Sequence, residues 1–334
     1  MNKRFHLQWH ITDECNCRCR HCYQEKFSPA SRLPLTNLAT IFENISDFLG
    51  KKNLKLTVNL TGGEPLLHPE WQDLIGFLSS QPVVKELGLI TNGHFLDDDS
   101  GCFLSRYSRL KLKISAEAVD KTNYELFRGR GRWEKFLQGI ETARKTGLEM
   151  TLMYTLLENN ASWLPEVFPF AWSHGFSRVI IERFIPWGYS QRWKDKVVTL
   201  GTWKKTALFL LRTCNLEEDL SLLFPYRAFM VAKKRSELSL KAASCILGKD
   251  GLALMPDGTV YPCRRFPLPL GNLTSQSLEE IWENSPVLNI LRQRGFLKGK
   301  CANCPITECL GCRALAYSLT GGFLNEDPLC FLRD

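Results

Sequence analysis

Through the first half of the chain, short apolar runs alternate with longer stretches in which apolar residues recur every three or four positions. The runs HLQWHIT (6–12), KLTVNLT (55–61), ELGLITN (86–92), LKLKISA (110–116), EMTLMYTL (149–156) and FSRVIIERF (176–184) predict six strands. Between them, TNLATIFENISDFLG (36–50) predicts a helix N-capped by Thr36 and ended by Gly50. WEKFLQGIETARKTG (133–147) predicts another, with Phe136, Ile140 and Ala143 on one face and Gly147 as its stop. Six alternating units imply an α/β fold on a parallel sheet, either an open barrel or a doubly wound sheet. In both, ligands sit beyond the carboxyl ends of the strands. Four polar segments fall there: a cysteine cluster after the first strand, Gly62-Gly63-Glu64-Pro65 after the second, Thr91-Asn92-Gly93 after the third, and Ser115 with Glu117 at the fourth.

From about residue 235 the periodicity shortens. Turns form at Asp250-Gly251 and Asp257-Gly258, and TVYPC (259–263) predicts the second strand of a hairpin. Seven of the thirteen cysteines lie between 245 and 330. This pattern predicts a separate, metal-stapled C-terminal domain, with units at 1–225 and 235–334 and a boundary between 225 and 245.

Composition narrows the class. A chain of 334 residues with 44% apolar content can bury a substantial core. It has neither an apolar run long enough for a membrane span nor an N-terminal apolar signal, which places it in the cytoplasm with no membrane partner. The excess of 43 Lys plus Arg over 35 Asp plus Glu gives +8, which suits an anionic partner or cofactor but is mild for a nucleic-acid binder. In a reducing compartment, cysteines clustered at two-residue spacings point to metal ligation rather than disulfides. Cys102 and Cys214, each in an apolar helical pattern, are expected to be small core residues.

The stretch CNCRCRHCYQ (15–24) contains Cys15, Cys19 and Cys22 as C-x3-C-x2-C, with Cys17 as an extra. Counted with all four, it could bind zinc as C-x-C-x-C-x2-C; three thiolates instead leave a coordination position open for a substrate or cofactor. With His21 before the third cysteine and GGEP after the second strand, residues 5–200 resemble the radical S-adenosylmethionine (SAM) superfamily. The resemblance implies a partial (β/α)6 TIM-like barrel in which Cys15, Cys19 and Cys22 hold a [4Fe–4S] cluster whose open iron binds SAM. Reductive cleavage of SAM would then give a 5′-deoxyadenosyl radical that abstracts hydrogen from an unactivated carbon. It also implies that Gly62, Gly63 and Glu64 approach the SAM amine. Ser115 and Arg128 would engage the SAM carboxylate, sequence alone not separating Arg128 from Arg130 or Arg132. Asn92, Asn160 and Arg183, with Pro186 and Gly188, would lie on the ribose and adenine side, unless they are turn formers and loop caps. Many relatives have Asn-Leu where this chain has Asn16-Cys17, and Cys17 is expected to point away from the cluster.

Farther on, Cys245 and Cys263 flank C-x12-G-x4-C, followed by Cys301-x2-Cys304-x4-Cys309-x2-Cys312 and Cys330. The two C-x2-C pairs alone would suit a zinc knuckle. Behind a radical SAM half, residues 240–334 resemble a SPASM domain, which carries two auxiliary iron–sulfur clusters. The resemblance implies three [4Fe–4S] clusters in all. Cys245, Cys263 and Cys312 would hold the first auxiliary cluster, its fourth position either open or filled by water or a non-cysteine ligand, and Cys301, Cys304, Cys309 and Cys330 the second. It further implies an oxidoreductase that modifies a ribosomally made peptide or protein by crosslinking, thioether formation or oxidation, with a reductant such as flavodoxin or ferredoxin. The ending CLGCRALAYSLTGGFLNEDPLC also resembles enzymes that remodel tetrapyrrole haem precursors. The first strand begins by residue 6, so leader-peptide recognition is expected to come from a separate protein or from docking at the barrel mouth. The basic, aromatic loop WGYSQRWKDK (187–196) could face a substrate or be solvated. A non-enzymatic zinc and nucleic-acid-binding protein is the remote alternative.

Overall fold

The structure, a computed structural model, describes residues 4–223, 228–243, 245–330 and 332. Six strands follow one another in parallel: β1 (Arg4–His10), β2 (Lys55–Thr61), β3 (Val84–Thr91), β4 (Leu110–Ala116), β5 (Glu149–Leu156) and β6 (Arg178–Arg183). Helices α1 (Leu35–Lys51), α2 (Trp71–Ser80), α3 (Asp98–Ser105), α4 (Lys121–Arg128), α5 (Trp133–Lys145) and α6 (Leu164–Ser173) connect them, and α7 (Leu200–Thr213) follows β6. This is the α/β partial barrel that the resemblance implied, one of the two forms the alternating pattern left open.

Helix α1 begins one residue before the expected span. Thr36 lies inside it and is not the cap; the Leu35 N–H is instead held by the Glu70 carboxylate at 2.9 Å. A distant side chain supplies the cap that a local reading assigned to a neighbour. In α5, Phe136, Ile140 and Ala143 are buried as expected. On α3, Cys102 is exposed, correcting its assignment to the core, because Gly101 and Leu104 occupy the inward face; Cys214 is buried as expected.

The strands are not apolar on both faces. In β4 the buried residues Leu110, Leu112, Ile114 and Ala116 alternate with Lys111, Lys113 and Ser115. The first set packs in the main core, while the second shares a face with neighbouring polar groups: Lys113 Nζ donates to Asn59 Oδ1 at 2.7 Å, and Lys111 pairs with Glu86 at 2.7 Å. A half-barrel with a polar inner face is suited to hold a ligand rather than to be filled with side chains.

The C-terminal region is joined to this sheet rather than set apart from it. The hairpin β7 (Ala228–Lys234) and β8 (Glu237–Ala243) adds antiparallel to β6, while β9 (Gly251–Leu254) pairs parallel with β1. Strands β10 (Thr259–Tyr261) and β11 (Gly271–Asn272) complete an eleven-stranded sheet. The antiparallel β9–β10 pair is the hairpin expected at TVYPC. The expected limit at residue 225 lies outside the described residues. Helices α8 (Leu278–Asn284), α9 (Pro286–Arg292) and α10 (Arg313–Thr320) follow. Ring packing of Phe5 on Trp282, 5.2 Å between centroids, ties α8 to β1. Among the described residues, no helix is long and apolar enough to cross a membrane.

Candidate active site

Strands β1 and β2 pair in register through His10 and Thr61, so the loops leaving them run side by side. Gly63 N–H donates to Thr12 O and Glu64 N–H to Glu14 O, both at 2.8 Å. A Cβ on Gly62 would stand 2.3 Å from Thr12 O, and one on Gly63 2.3 Å from Glu14 O; Gly62 also has φ +148°. The glycine pair is therefore required by the close approach of the two loops.

The cysteine loop forms neither strand nor helix and is fixed by longer-range contacts. Arg18 Nη1 donates to the carbonyls of Cys15 and Cys17, Arg132 Nη2 donates to Asn16 O at 2.8 Å, and Arg20 N–H donates to Phe127 O at 3.0 Å. Cys15, Cys19 and Cys22 all line one cavity, which holds about 980 Å³ of space between protein atoms, part of it open to solvent. Gly62, Gly63, Asn92, Ser115 and Arg128 line the same cavity. Cys17 lines it as well, correcting the expectation that it points away: its N–H lies 3.4 Å from Cys15 Sγ, and its own sulfur 3.4 Å from His94 Nδ1. Burial pushes the Cys22 thiol up to about 12, so a bound metal must displace a firmly held proton.

Three of the sequence-based site residues stand elsewhere. The Glu64 carboxylate is fully buried and accepts from Leu66 N, Thr91 Oγ1 and Asn92 N at 3.3, 2.7 and 2.8 Å. It clamps the end of β3 to the GGEP loop and is absent from the cavity wall; burial raises it to about 7, against the pull of those donors. Asn160 is a loop staple: its amide donates to Glu117 O and Thr155 O and accepts from Leu157 N. Arg183 follows Glu182 on β6 and so points to the opposite face. Glu182 faces the cavity, whereas Arg183 is buried over Trp203, 5.2 Å from its ring.

At the cavity wall, Arg128 is singled out from its neighbours Arg130 and Arg132. It is 5% exposed and grips Glu117 in a fork, Nε to Oε2 at 2.7 Å and Nη2 to Oε1 at 2.8 Å. His21 Nε2 reaches Glu117 Oε1 at 3.0 Å from the other side. Burial alone would raise the Glu117 carboxyl, but Arg128 and His21 hold it down to about 2. The result is a fixed, ionised brace that sets the Arg128 plane against the cavity. Sequence reasoning noted Glu117 and His21 without this role, and it missed Glu182, Arg264 and Arg265, which also line the cavity. Arg264 is ion-paired to Glu182, and both arginines immediately follow Cys263, so Cys-Arg-Arg after the hairpin was an available signal.

The C-terminal cysteines fall into groups. Cys301, Cys304, Cys309 and Cys330 line one small cavity together with Gly311. Cys263 and Cys312 both lie near Arg265, while Cys245 packs half-buried against the main core. Among the described residues no three His, Cys, Asp or Glu side chains converge tightly enough for one ion, whereas a cluster spreads its thiolates over several irons. The loop at 187–196 is packed through its tryptophans, while Tyr189, Gln191, Arg192, Lys194 and Asp195 are exposed. Trp187 stacks on Tyr317 with centroids 5.6 Å apart, and Trp193 meets Phe127 edge-on at 5.6 Å.

Comparison with known proteins agrees with this geometry. Residues 9–170 match the radical SAM superfamily, and residues 245–305 match SPASM, an iron–sulfur cluster-binding domain. The chain is therefore a radical SAM enzyme with a C-terminal SPASM domain, a class whose cofactors are SAM, a SAM-binding [4Fe–4S] cluster and auxiliary iron–sulfur clusters. The AdoMet-dependent heme synthase of Methanosarcina barkeri is 26% identical to it over 98% of this chain and 96% of its own length. The PqqA peptide cyclase of Gluconobacter oxydans is also 26% identical, over 96% and 89%. Streptococcus suis SuiB bound to S-adenosylmethionine superposes with a TM-score of 0.74 at 14% identity, covering 99% of this chain and 78% of SuiB, a likeness of fold.

Proposed function

We propose that the enzyme removes hydrogen from, and then oxidises, a side chain of a ribosomally made peptide or protein, leaving a crosslink, a thioether or an oxidised residue. The observation that carries this reading is the form of the site. A neighbouring cleft, lined also by Trp187 and by Tyr261 on β10, shares Tyr23, Gln24 and Arg264 with the cavity. A trough of that form suits an extended chain with one residue delivered to the reacting centre. The full-length likeness to a peptide cyclase supports the same substrate class.

In this reading Cys15, Cys19 and Cys22 hold the SAM-binding cluster, and the three thiols on one cavity wall fit it. With SAM bound, that centre supplies one-electron chemistry strong enough to break an unactivated C–H bond. The chain's own residues then position and shield. Backbone at Gly62 and Gly63, with Ser115 and Asn92, receives SAM, while Arg128, held flat by Glu117, faces its carboxylate. Met153, Phe184 and Ile185 exclude water from the reacting carbon. Cys245, Cys263 and Cys312 hold one auxiliary cluster, and Cys301, Cys304, Cys309 and Cys330 the other. Residues 1–225 act as the SAM-cleaving unit and 235–334 as the auxiliary unit, in the cytoplasm, with flavodoxin or ferredoxin as reductant and a separate protein to recognise a leader.

A second reading, modification of tetrapyrrole side chains, is favoured by Arg264 and Arg265 at the cavity, whose guanidinium groups suit carboxylates, and by the heme synthase likeness. Deuterium transfer separates the two. The reduced enzyme is incubated with SAM and either a deuterated short peptide encoded beside its gene or a tetrapyrrole deuterated in its propionate chains. Deuterium in 5′-deoxyadenosine from the peptide is the expected result; deuterium from the tetrapyrrole alone would replace the first reading with the second.

A further inference from the structure

Apart from the SAM cavity and the Glu64 clamp beside it, three charged side chains are almost fully buried near the C-terminal cysteines. Arg313 is 1% exposed, Arg183 2% and Asp327 2%. Arg313 Nη1 donates to Phe323 O and Asn325 O at 2.9 and 2.6 Å, which fixes the guanidinium. Its Nη2 then lies 3.5 Å from Cys301 Sγ, and the Asp327 N–H lies 3.4 Å from the same sulfur. From its other side, the Asp327 carboxylate accepts the N–H of Cys312 at 2.8 Å and stands 3.5 Å from Arg183 Nη2.

Two features show that this arrangement is built for a negative partner. Gly311, at φ +68°, leaves the space in which the guanidinium meets the sulfur: a Cβ there would stand 2.4 Å from Arg313 Nη2 and 3.2 Å from Cys301 Sγ. Among the described residues, two buried guanidinium groups also face one carboxylate, and Arg313 Nε and both Nη atoms of Arg183 are buried without a hydrogen-bond partner. Such groups are costly unless an anion compensates them. A cube with four thiolates is an anion, and gains one more negative charge on reduction.

We propose that Arg313 is a positioning residue that raises the reduction potential of the cluster held by Cys301, Cys304, Cys309 and Cys330. This rests on the ligand sets proposed above. A fixed cation donating to a ligand sulfur favours the more negative, reduced form. Asp327 opposes it, and through the Cys312 N–H links the second auxiliary site to the first. A cluster held there would be the more readily reduced for it.

The test is an EPR-monitored redox titration of the anaerobically purified holoenzyme, alongside Arg313→Gln, Arg313→Lys and Asp327→Asn, each with iron counted. One midpoint is expected to fall in R313Q with the others unmoved, to return toward wild type in R313K, and to rise in D327N. If the variants retain about twelve irons and no midpoint moves, or R313Q and D327N shift in the same direction, the proposal is overturned while the cluster assignment stands. If R313Q fails to load, D327N decides: an upward shift supports the proposal and no shift overturns it. A wild-type chain with zinc in place of the auxiliary irons would instead overturn the ligand sets, and the proposal with them.

Discussion

Residues 12–24 and residues 294–312 both gather cysteines without forming a strand, yet the chain secures them differently. The first loop is braced from outside, with Arg18 adding bonds within it: Arg132 and Phe127 hold its backbone, the GGEP loop lies against it, and the buried Glu117 brace stands behind it. The second has two three-residue turns and a small apolar cluster of Leu297, Cys301 and Leu310, with Arg294 reaching the carbonyls of Cys304 and Ile306 and outside contacts coming from the neighbouring C-terminal residues Arg313, Glu326 and Asp327. The barrel thus presents a preformed cup for its metal, whereas the C-terminal segment has a smaller apolar cluster of its own and is expected to depend more on metal for its order.

The difference can be broken most severely by removing ligands. Cys301→Ala, Cys304→Ala and Cys309→Ala together should expose residues 294–330 to limited proteolysis and lose about four irons, while the barrel survives as a protected fragment. An undigested C-terminal segment in this variant would show that protein contacts suffice there.

Next in size is the brace. Glu117→Gln leaves the Arg128 guanidinium buried without its counter-charge and should cost about 3–5 kcal/mol in urea unfolding. The sign of its pH dependence follows from the depressed carboxyl, about 2 against an ordinary 4.5. Its stabilisation is complete above the ordinary value and lost as pH falls toward 2, so the gap between wild type and E117Q should close over that window. A gap that instead widened with acid would mean Glu117 is held protonated.

A smaller effect is expected at the loop contact. Gly63→Ala must move the Glu14 carbonyl and should cost about 1–3 kcal/mol, weakening SAM binding in equilibrium dialysis while leaving the auxiliary irons in place. Smallest is Trp187→Ala, which removes stacking on Tyr317 worth about 0.5–1.5 kcal/mol. It should lower the melting temperature by a few degrees without changing iron content.

Legibility in the sequence followed the range of the forces involved. Strand periodicity gave β2, β4 and β5 to the residue, because alternation is a local property. The cysteine groups were legible because ligand spacing is local too. What was not legible was orientation. Arg183 and Glu182 are neighbours in sequence, and only the strand's facing decides which of them sees the cavity. Glu64 reads as a ligand-facing carboxylate until the N–H groups that capture it, from β3 and from its own turn, are known. The joining of β9 to β1 depends on residues more than 240 positions apart, for which no local pattern exists.

The central claim is that three clusters occupy these three cysteine groups, and metal stoichiometry tests it most directly. Iron, sulfide and zinc are measured per chain in anaerobically purified wild type and in the variant carrying Cys15→Ala, Cys19→Ala and Cys22→Ala. The account predicts about twelve irons falling to about eight in the variant, with no zinc. About four irons with one or two zincs in the wild type would contradict it and make the C-terminal region structural.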